Sequence, residues 1–478
     1  MLWLSLCLPH LPLEVIARAL PDPEPPLVVH ETQGARRLVI ARNRAAAAAG
    51  IVPGMRLSTA QSLAAGLRPH ARQPQAETAA LDGLAQWAGQ FTTWVGLADG
   101  EGLLLEIAGS LRLFGGIAPI RQAVTDGLGR LGYRSRTAVA TNPEAAWLLA
   151  RNGLEPVLTE RDHLREYLDA LPVQALRDPG AEAVLTALGI RRLGECRRLP
   201  RAGLARRLGP GLLARLDRLY GLTQSPPRKF TAKARYRGCL ELPGAIEQVD
   251  ALQFPLRRLL QEQEGFLRGR GEGVLRLELA LQGECGEPAR IRLGLAAPTR
   301  DAQRLLELFR ERLAREILPG PVEALELEAL ESAPFQECSQ ALFEDETARA
   351  ADIGGLLERL RARLGEAAVQ AVSECADHRP ERAWQPALPG RTCQLAHALH
   401  RPFWLLPHPR RLAQRAGGPW LDGPLQLLDG PERIESGWWD GADMRRDYYI
   451  ALTAAHTRVW LFREPGPPPD WYLHGVFA

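Results

Sequence analysis

Residues 2–14 read LWLSLCLPHLPLE. Two readings compete for this stretch: the hydrophobic segment of an export signal, or the first buried strand of a globular core. An export signal places a basic flank before an unbroken apolar run. Here no Lys or Arg precedes the run, Pro9, His10 and Pro12 interrupt it, and Glu14 follows at once, although Ala17-Arg18-Ala19 has the form of a cleavage site. Residues 2–8 are therefore read as a short buried strand, followed by a helix over 13–20 that PDPEPP (21–26) ends. The stretch contains no Asp, and no Glu before position 14.

Further along, RLVIARN (37–43) reads as a strand and RAAAAAGIVPGM (44–55) as an Ala-rich helix stopped by Gly50 and Pro53. Residues 77–91 form an amphipathic helix, and GLLLEIAGSLRLFGG (102–116) reads as strand, turn and short helix. A helix over 118–132, the strand RTAVATN (136–142) and a helix over 143–152 follow. Strands alternating with helices predict an α/β or α+β first domain of about 160 residues.

The whole chain has 478 residues, 46% hydrophobic and 24% charged, with a net charge of +3. That length suggests about three domains, and no apolar run approaches the ~20 residues of a membrane span. A charge of +3 does not by itself point to nucleic acid. Seven cysteines at wide spacing, with no C-x-x-C, argue against a disulfide framework or structural zinc and fit a reducing cytosol. His397 and His400 lie near Cys393, but no second cysteine has ligand spacing.

Residues 170–222 read as helices joined by short Gly-centred turns, with LTALGIRRLGECRRLPRAGLARRLG (185–209) patterned as a helix–hairpin–helix. Nine arginines and two acids lie between Arg191 and Arg218. Such a run can be a solvated face. Its coincidence with a Gly turn favours phosphate binding, because hairpin amides and helix N-termini also attract anions. TQSPPRKFTAKARYRG (223–238) is a basic linker. A helix over 248–267, strands over 274–283 and 289–298, a helix over 299–317 and a strand over 322–332 then give two βαβ-like passes. A helix is expected over 353–375. Seven of the eleven tryptophans lie at or after Trp384, suiting either a partner surface or a small aromatic core.

In this order, the strand, the Ala-rich finger, GSLRLFGG, ATNPEAAWLLA, LGIRRLGE and the small α+β domain resemble Y-family translesion DNA polymerases. HRPERAW (378–384), GPERIESGWWDG (430–441), RRDYYIA (445–451), RVWLFRE (458–464) and WYLHGVFA (471–478) are similar to the ImuB-like branch of that family, the catalytically silent subunit of a bacterial damage-induced mutagenesis system. The resemblance implies an α+β multidomain chain: palm and fingers over 1–165 (fingers about 21–75), a helix–hairpin–helix thumb over 166–232 and a little finger over 238–334. A clamp-binding linker over 335–350 and a Trp-rich partner-binding region over 351–478 complete it.

Active Y-family members hold two Mg²⁺ with three carboxylates, since this hard cation demands oxygen ligands and two ions stabilise the attacking and leaving oxygens. Aligned on Glu14, the resemblance places those first-strand carboxylates at Ser5 and Cys7; aligned on Gly109-Ser110, it places the later pair at Glu101 and Gly102. The triphosphate-holding Tyr and Arg of the fingers fall on Arg44 and Ala47, and two lysines on Pro143 and Trp147. The resemblance therefore implies no catalysis, no cofactor and no bound metal. The rival is an active, distributive translesion polymerase using Mg²⁺ at a site rebuilt from Glu101, Asp99 or Glu106. A third reading, a helix–hairpin–helix nuclease or glycosylase, would need Asp178 or Asp217.

DNA contacts are expected at Gly189, Arg191, Arg192, Gly194, Arg197, Arg198 and Arg201, with the little finger sharing the grip on damaged primer–template. SQALFED (339–345) resembles the family's β sliding clamp peptide, with Leu342 and Phe343 as the apolar pair and Gln340 as the polar contact. The resemblance further implies an ImuA-type RecA-like partner, an error-prone DnaE-type polymerase (ImuC) as the synthetic partner, and a cytoplasmic, nucleoid-associated location without a membrane.

Overall fold

The computed structural model describes residues 1–20, 25–223, 226–284, 286–316, 318, 320–335, 346–365, 368–387, 401–415, 418–466 and 470–477. The chain divides into two compact units, Met1–Arg349 and Ala350–Ala478.

The first unit begins with β1 (Trp3–Cys7), α1 (Leu11–Ala17), β2 (Leu27–Gln33), β3 (Arg36–Arg42), α2 (Arg44–Ala48), α3 (Leu57–Leu63) and β4 (Arg68–Ala71). It continues through α4 (Pro74–Ala88), β5 (Val95–Ala98), β6 (Gly102–Glu106), α5 (Leu111–Phe114), α6 (Ile117–Leu131), β7 (Arg136–Ala140) and α7 (Pro143–Arg151). The order β5-β6-β1-β7 puts β1 in the centre of an antiparallel sheet. This explains why the opening stretch is apolar throughout. Leu4, Leu6 and Leu8 pack with α4 and α6 on one face, while Trp3 and Cys7 pack on the other with Leu104, Ala138 and Trp147. A separate lobe, sheet β3-β2-β4, closes over α2 and α3 around Val28, Val39, Ile51 and Leu57. The sequence reading does not include β2, β4 or α3.

Next come α8 (Arg161–Ala170), α9 (Pro179–Ala187), α10 (Leu193–Arg198) and α11 (Arg201–Leu219). The turn between α9 and α10 uses Gly189 at φ +79°, a conformation that favours glycine. At Gly209, φ +82° before Pro210 kinks α11. The linker then returns to the first sheet, where the Phe230 N–H donates to Val95 O at 2.7 Å.

The last part of this unit is β8 (Arg237–Ile246), α12 (Gln253–Arg270), β9 (Glu272–Gly283), β10 (Ala289–Thr299), α13 (Ala302–Leu313) and β11 (Val322–Pro334). The sheet order is β10-β9-β11-β8 and every pairing is antiparallel, so the pass β8-α12-β9 is split by β11 and the pass β10-α13-β11 by β9. Helix α12 also packs on α4 and α6. Glycine gaps make the approach close: a Cβ on Gly265 or Gly127 would lie 2.1 or 2.4 Å from the Trp87 ring. Beside them the buried Arg18 guanidinium pairs with Glu262 at 3.2 Å and donates to the Tyr133 hydroxyl.

Helix α14 (Glu346–Leu364) leads into the second unit, followed by β12 (Ala371–Glu374), β13 (Trp384–Ala387), β14 (Trp404–Arg411), β15 (Ala413–Arg415) and β16 (Gly418–Trp420). The remaining strands are β17 (Gln426–Ser436), β18 (Met444–Leu452), β19 (Arg458–Arg463) and β20 (Trp471–Val476). The helix expected to reach 375 stops at Leu364, with Gly365 at φ +95°, and residues 371–374 pair instead with β13. Sheet β14-β20-β19-β18-β17 carries a stack of Tyr448, Trp460, Phe462 and His474. Trp460 and Trp471 are core, whereas Trp384, Trp404, Trp438 and Trp439 are exposed. The tail therefore has both an aromatic core and an aromatic surface.

Candidate functional site: the first-strand face and helices α8 to α11

The face of β1 that carries Ser5 and Cys7 is covered. In the sheet register Cys7 lies opposite Gly102, and Ser5 opposite Leu104. Helix α7 lies across this face because Asn142 caps it, accepting from the Ala145 N–H at 2.8 Å, while its Nδ2 donates to Leu219 O at 3.0 Å. This places Trp147 over Gly102, where a Cβ would lie 2.7 Å from Trp147 Cζ3 and 2.1 Å from Leu6 O. Trp147 Nε1 donates to Asp99 Oδ2 at 2.8 Å. One turn further along α7, Arg151 pairs with Glu101 at 3.2 Å and Asp99 at 3.5 Å.

The donor set at the four first-strand and later-strand positions is therefore poor for Mg²⁺. Ser5 is fully buried, with no hydrogen-bond partner for its hydroxyl among the described residues. Burial, then the neighbouring Glu101 carboxylate, pushes the Cys7 thiol up to about 11, so it stays protonated and soft. Gly102 has no side chain, and Glu101 is tied to Arg151. Hard octahedral oxygen coordination does not fit these residues. Glu106 is held at the other end of β6, where its Oε1 accepts the Leu2 N–H at 3.0 Å. Among the described residues no group of three His, Cys, Asp or Glu side chains is arranged to hold a metal ion.

The positions assigned to triphosphate contacts are dispersed in role. Asn43 caps α2, accepting from the Ala46 N–H at 2.9 Å, and leaves Arg44 exposed at the helix start. Ala47 lies inside the short helix, and Pro143 occupies the first turn of α7. Trp147 is buried in the core. Sequence reasoning missed Arg151. Its signal was the i, i+4 spacing from Trp147, which puts both on one helix face.

Helices α8 to α11 separate their arginines into two sets. Arg201 forms a double hydrogen bond to Asp217 at 2.8 and 2.6 Å, and Arg197 pairs with Asp169 at 3.0 Å beneath the Tyr220 ring. Arg215 and Arg218 both reach Glu144. No ion pair among the described residues engages Arg191, Arg192, Arg198, Arg206 or Arg207, all exposed. Gly189 forms the turn; Gly194 is buried, a Cβ there meeting Asp169 at 2.9 Å. The Arg191 and Arg192 N–H groups donate to Glu195 at 2.8 and 3.2 Å, holding its carboxyl below the usual range. Asp178 is the α9 cap, accepting from the Ala181 N–H at 3.0 Å, so both aspartates of the nuclease reading have structural partners. Gln340, Leu342 and Phe343 of the clamp-like peptide, together with Cys393, His397 and His400, lie outside the described residues.

On the open face of β10-β9-β11-β8, charges are matched locally. Arg290 and Arg292 both pair with Glu278, Arg237 with Glu326 and Arg276 with Glu331.

Residues 15–151 match the model described as the impB/mucB/samB family. Protein ImuB of Caulobacter vibrioides strain NA1000 / CB15N is 30% identical over 470 residues, covering 90% of this chain and 100% of the relative. The chain belongs to the ImuB family. The same figures hold for Protein ImuB of C. vibrioides strain ATCC 19089 / CIP 103742 / CB 15. Among solved structures, a Dbh ternary complex with partially disordered substrates shares 16% identity at a TM-score of 0.40, covering 69% of this chain and 98% of that one. DinB from Sulfolobus solfataricus shares 16% at 0.39, covering 70% and 100%. This ImuB-family chain is a Y-family-like, α+β multidomain protein. Among the described residues no helix is long and apolar enough to cross a membrane.

Proposed function

We propose that this ImuB-family chain is a non-catalytic Y-family homologue that acts as a DNA- and clamp-binding scaffold in damage-induced, error-prone translesion synthesis. The observation that carries the reading is the covered first-strand face, where Trp147 and the Arg151–Glu101 pair occupy the space above Gly102 and Cys7. DNA is gripped mainly through phosphates by the unpaired thumb arginines Arg191, Arg192, Arg198, Arg206 and Arg207. The charge-matched open face of β10-β9-β11-β8 contributes less than the sequence expectation gave the little finger. The peptide at Gln340, Leu342 and Phe343 tethers the chain to the β sliding clamp. Exposed Trp384, Trp404, Trp438 and Trp439 offer amphipathic anchors of the kind that dominate protein interfaces. They would meet an ImuA-type RecA-like protein and the DnaE-type polymerase ImuC, which performs synthesis. Several weak contacts on one chain raise the local concentration of its partners at a damaged primer end.

The test is primer extension with purified chain, primer–template, Mg²⁺ and deoxynucleotides, alone and with the partner polymerase. The expected result is no incorporation by the chain alone. Template-dependent incorporation that is lost in Glu101→Ala would establish the rebuilt-site polymerase instead.

A further inference from the structure

We infer that the free edge made by β14 and β15 in the second unit binds single-stranded nucleic acid, with Phe403 and Trp404 as stacking surfaces and Arg410 and Arg415 as phosphate contacts. The inference goes beyond the scaffold reading, which gives the second unit protein partners alone. Strand β14 is the outermost strand of its sheet and pairs with β20 through Trp404, Leu405, Arg410 and Arg411. Leu405 and Leu406 pack inward, one on each face of the sheet. Phe403 and Trp404 are left 88% and 67% exposed. Their backbone is closely packed: a Cβ on Gly475 would lie 2.5 Å from Pro402 Cγ and 2.9 Å from Trp404 O.

The charge pattern along this edge is one-sided. The chain carries no Asp or Glu between Arg382 and Asp422, and five arginines lie in that interval. Among the described residues two carboxylates reach it, and each is matched: Glu432 accepts from Arg401 at 2.6 Å and Asp470 from Arg411 at 2.7 Å. Arg410 and Arg415 are exposed, and no ion pair among the described residues engages either. Arg415 lies over the Trp420 ring at 4.7 Å, which positions its guanidinium without neutralising it. Of the four exposed tryptophans, Trp404 is the one whose strand also carries an unpaired arginine.

These features select the ligand class. A nucleobase stacks on an aromatic side chain only when it is unpaired, since a duplex hides its base faces, and arginines beside the stack take the phosphates. Guanidinium forks match phosphate geometry, so the unmatched positive charge complements a strand backbone. A protein strand adding to the edge would need a run of main-chain N–H groups, and Pro407 and Pro409 remove two of them. The edge is therefore better suited to bases and phosphates than to a peptide backbone.

The test uses the full chain carrying Arg191→Ala, Arg192→Ala, Arg198→Ala, Arg206→Ala and Arg207→Ala, so that the other proposed phosphate contacts are absent. Fluorescence anisotropy in low salt follows binding of octathymidylate, octauridylate and a stable hairpin duplex. Phe403→Ala/Trp404→Ala and Arg410→Ala/Arg415→Ala are added to this background, with circular dichroism and melting curves verifying the fold. Saturable binding of either single strand, at least tenfold tighter than the duplex and weakened at least tenfold by Phe403→Ala/Trp404→Ala, supports the inference; the tighter oligomer names the sugar. The arginine pair should lower the salt slope by about 1.4, at about 0.7 for each single-strand phosphate. Ultraviolet cross-linking of an iodouracil-substituted strand to the peptide holding Phe403 and Trp404 supports it independently. Absence of saturable binding, equal affinity for the duplex, or equal affinity before and after Phe403→Ala/Trp404→Ala overturns it. A Phe403→Ala/Trp404→Ala chain that binds the oligomers normally but no longer captures the partner polymerase also overturns it, and makes the edge a protein surface.

Discussion

Replacing Gly102 by Ala tests the closed first-strand face with a single methyl group. The new Cβ would lie 2.1 Å from Leu6 O and 2.7 Å from Trp147 Cζ3, whereas real Cβ contacts essentially never fall below 3.0 Å. Overpacking of a filled core typically costs 1–3 kcal/mol. The nearer obstacle is the backbone of β1, the central strand, which cannot rotate aside, so the upper end, about 3 kcal/mol, is expected. At about 2.1 cal/mol/K of unfolding entropy per residue, the unit Met1–Arg349 then loses about 4 °C in Tm. Trp147→Ala alone costs about 3–5 kcal/mol through its cavity. In the double variant the ring no longer opposes the methyl group, and the combined loss falls about 1 kcal/mol short of the sum. Urea denaturation of the parent, both single variants and the double variant measures all three quantities. A Gly102→Ala protein within about 0.5 kcal/mol of the parent, the range of ordinary surface substitutions, would refute the reasoning, because a side chain at 102 would then have room.

Three further outcomes are expected. Arg191→Ala/Arg192→Ala/Arg198→Ala should weaken DNA binding and lower its salt slope by about one unit per lost phosphate contact, whereas Arg197→Ala and Arg201→Ala should change stability more than the slope; a salt titration of binding separates them. Leu342→Ala/Phe343→Ala should abolish capture of the β clamp in surface-binding measurements, and unchanged affinity would remove the peptide from the scaffold. Cys7, with its thiol pushed up to about 11 by burial and Glu101, should resist iodoacetamide at pH 8 in the folded chain and react on denaturation. Its thiolate appears only as pH rises toward that value, and rapid labelling at pH 8 would mean the face is open.

The opening strand was legible because a central strand buries both faces, leaving apolar residues at nearly every position. Helices α6, α7 and α13 were legible from their periodicity. Strand β2 was not: it follows the Pro-rich 21–26 segment, and its hairpin turns through Gln33-Gly34-Ala35-Arg36 without Asn-Gly or Asp-Gly. Strand β8 hid behind the basic linker and contains Pro243 and Gly244. At the site, the residue types at positions 5, 7, 101 and 102 could be read, but what covers them could not. Trp147 meets Asp99 across 48 positions of chain, and Arg201 meets Asp217 across 16, pairings set by packing rather than local pattern. The net charge of α10 and α11 was therefore visible, while its division into paired and unpaired arginines was not.

Helix α12 packs on two layers at once. It covers β9 and β11 of its own sheet and closes on Trp87 through Gly265. A truncation before residue 233 would bare the Trp87 surface and leave the buried Arg18 without its Glu262 counter-ion, and breaking such a buried pair costs about 3–5 kcal/mol. The segment from β8 to β11 is thus a wall of the layer formed by α4 and α6, and the shortest fragment that keeps both sealed runs through β11 to Pro334.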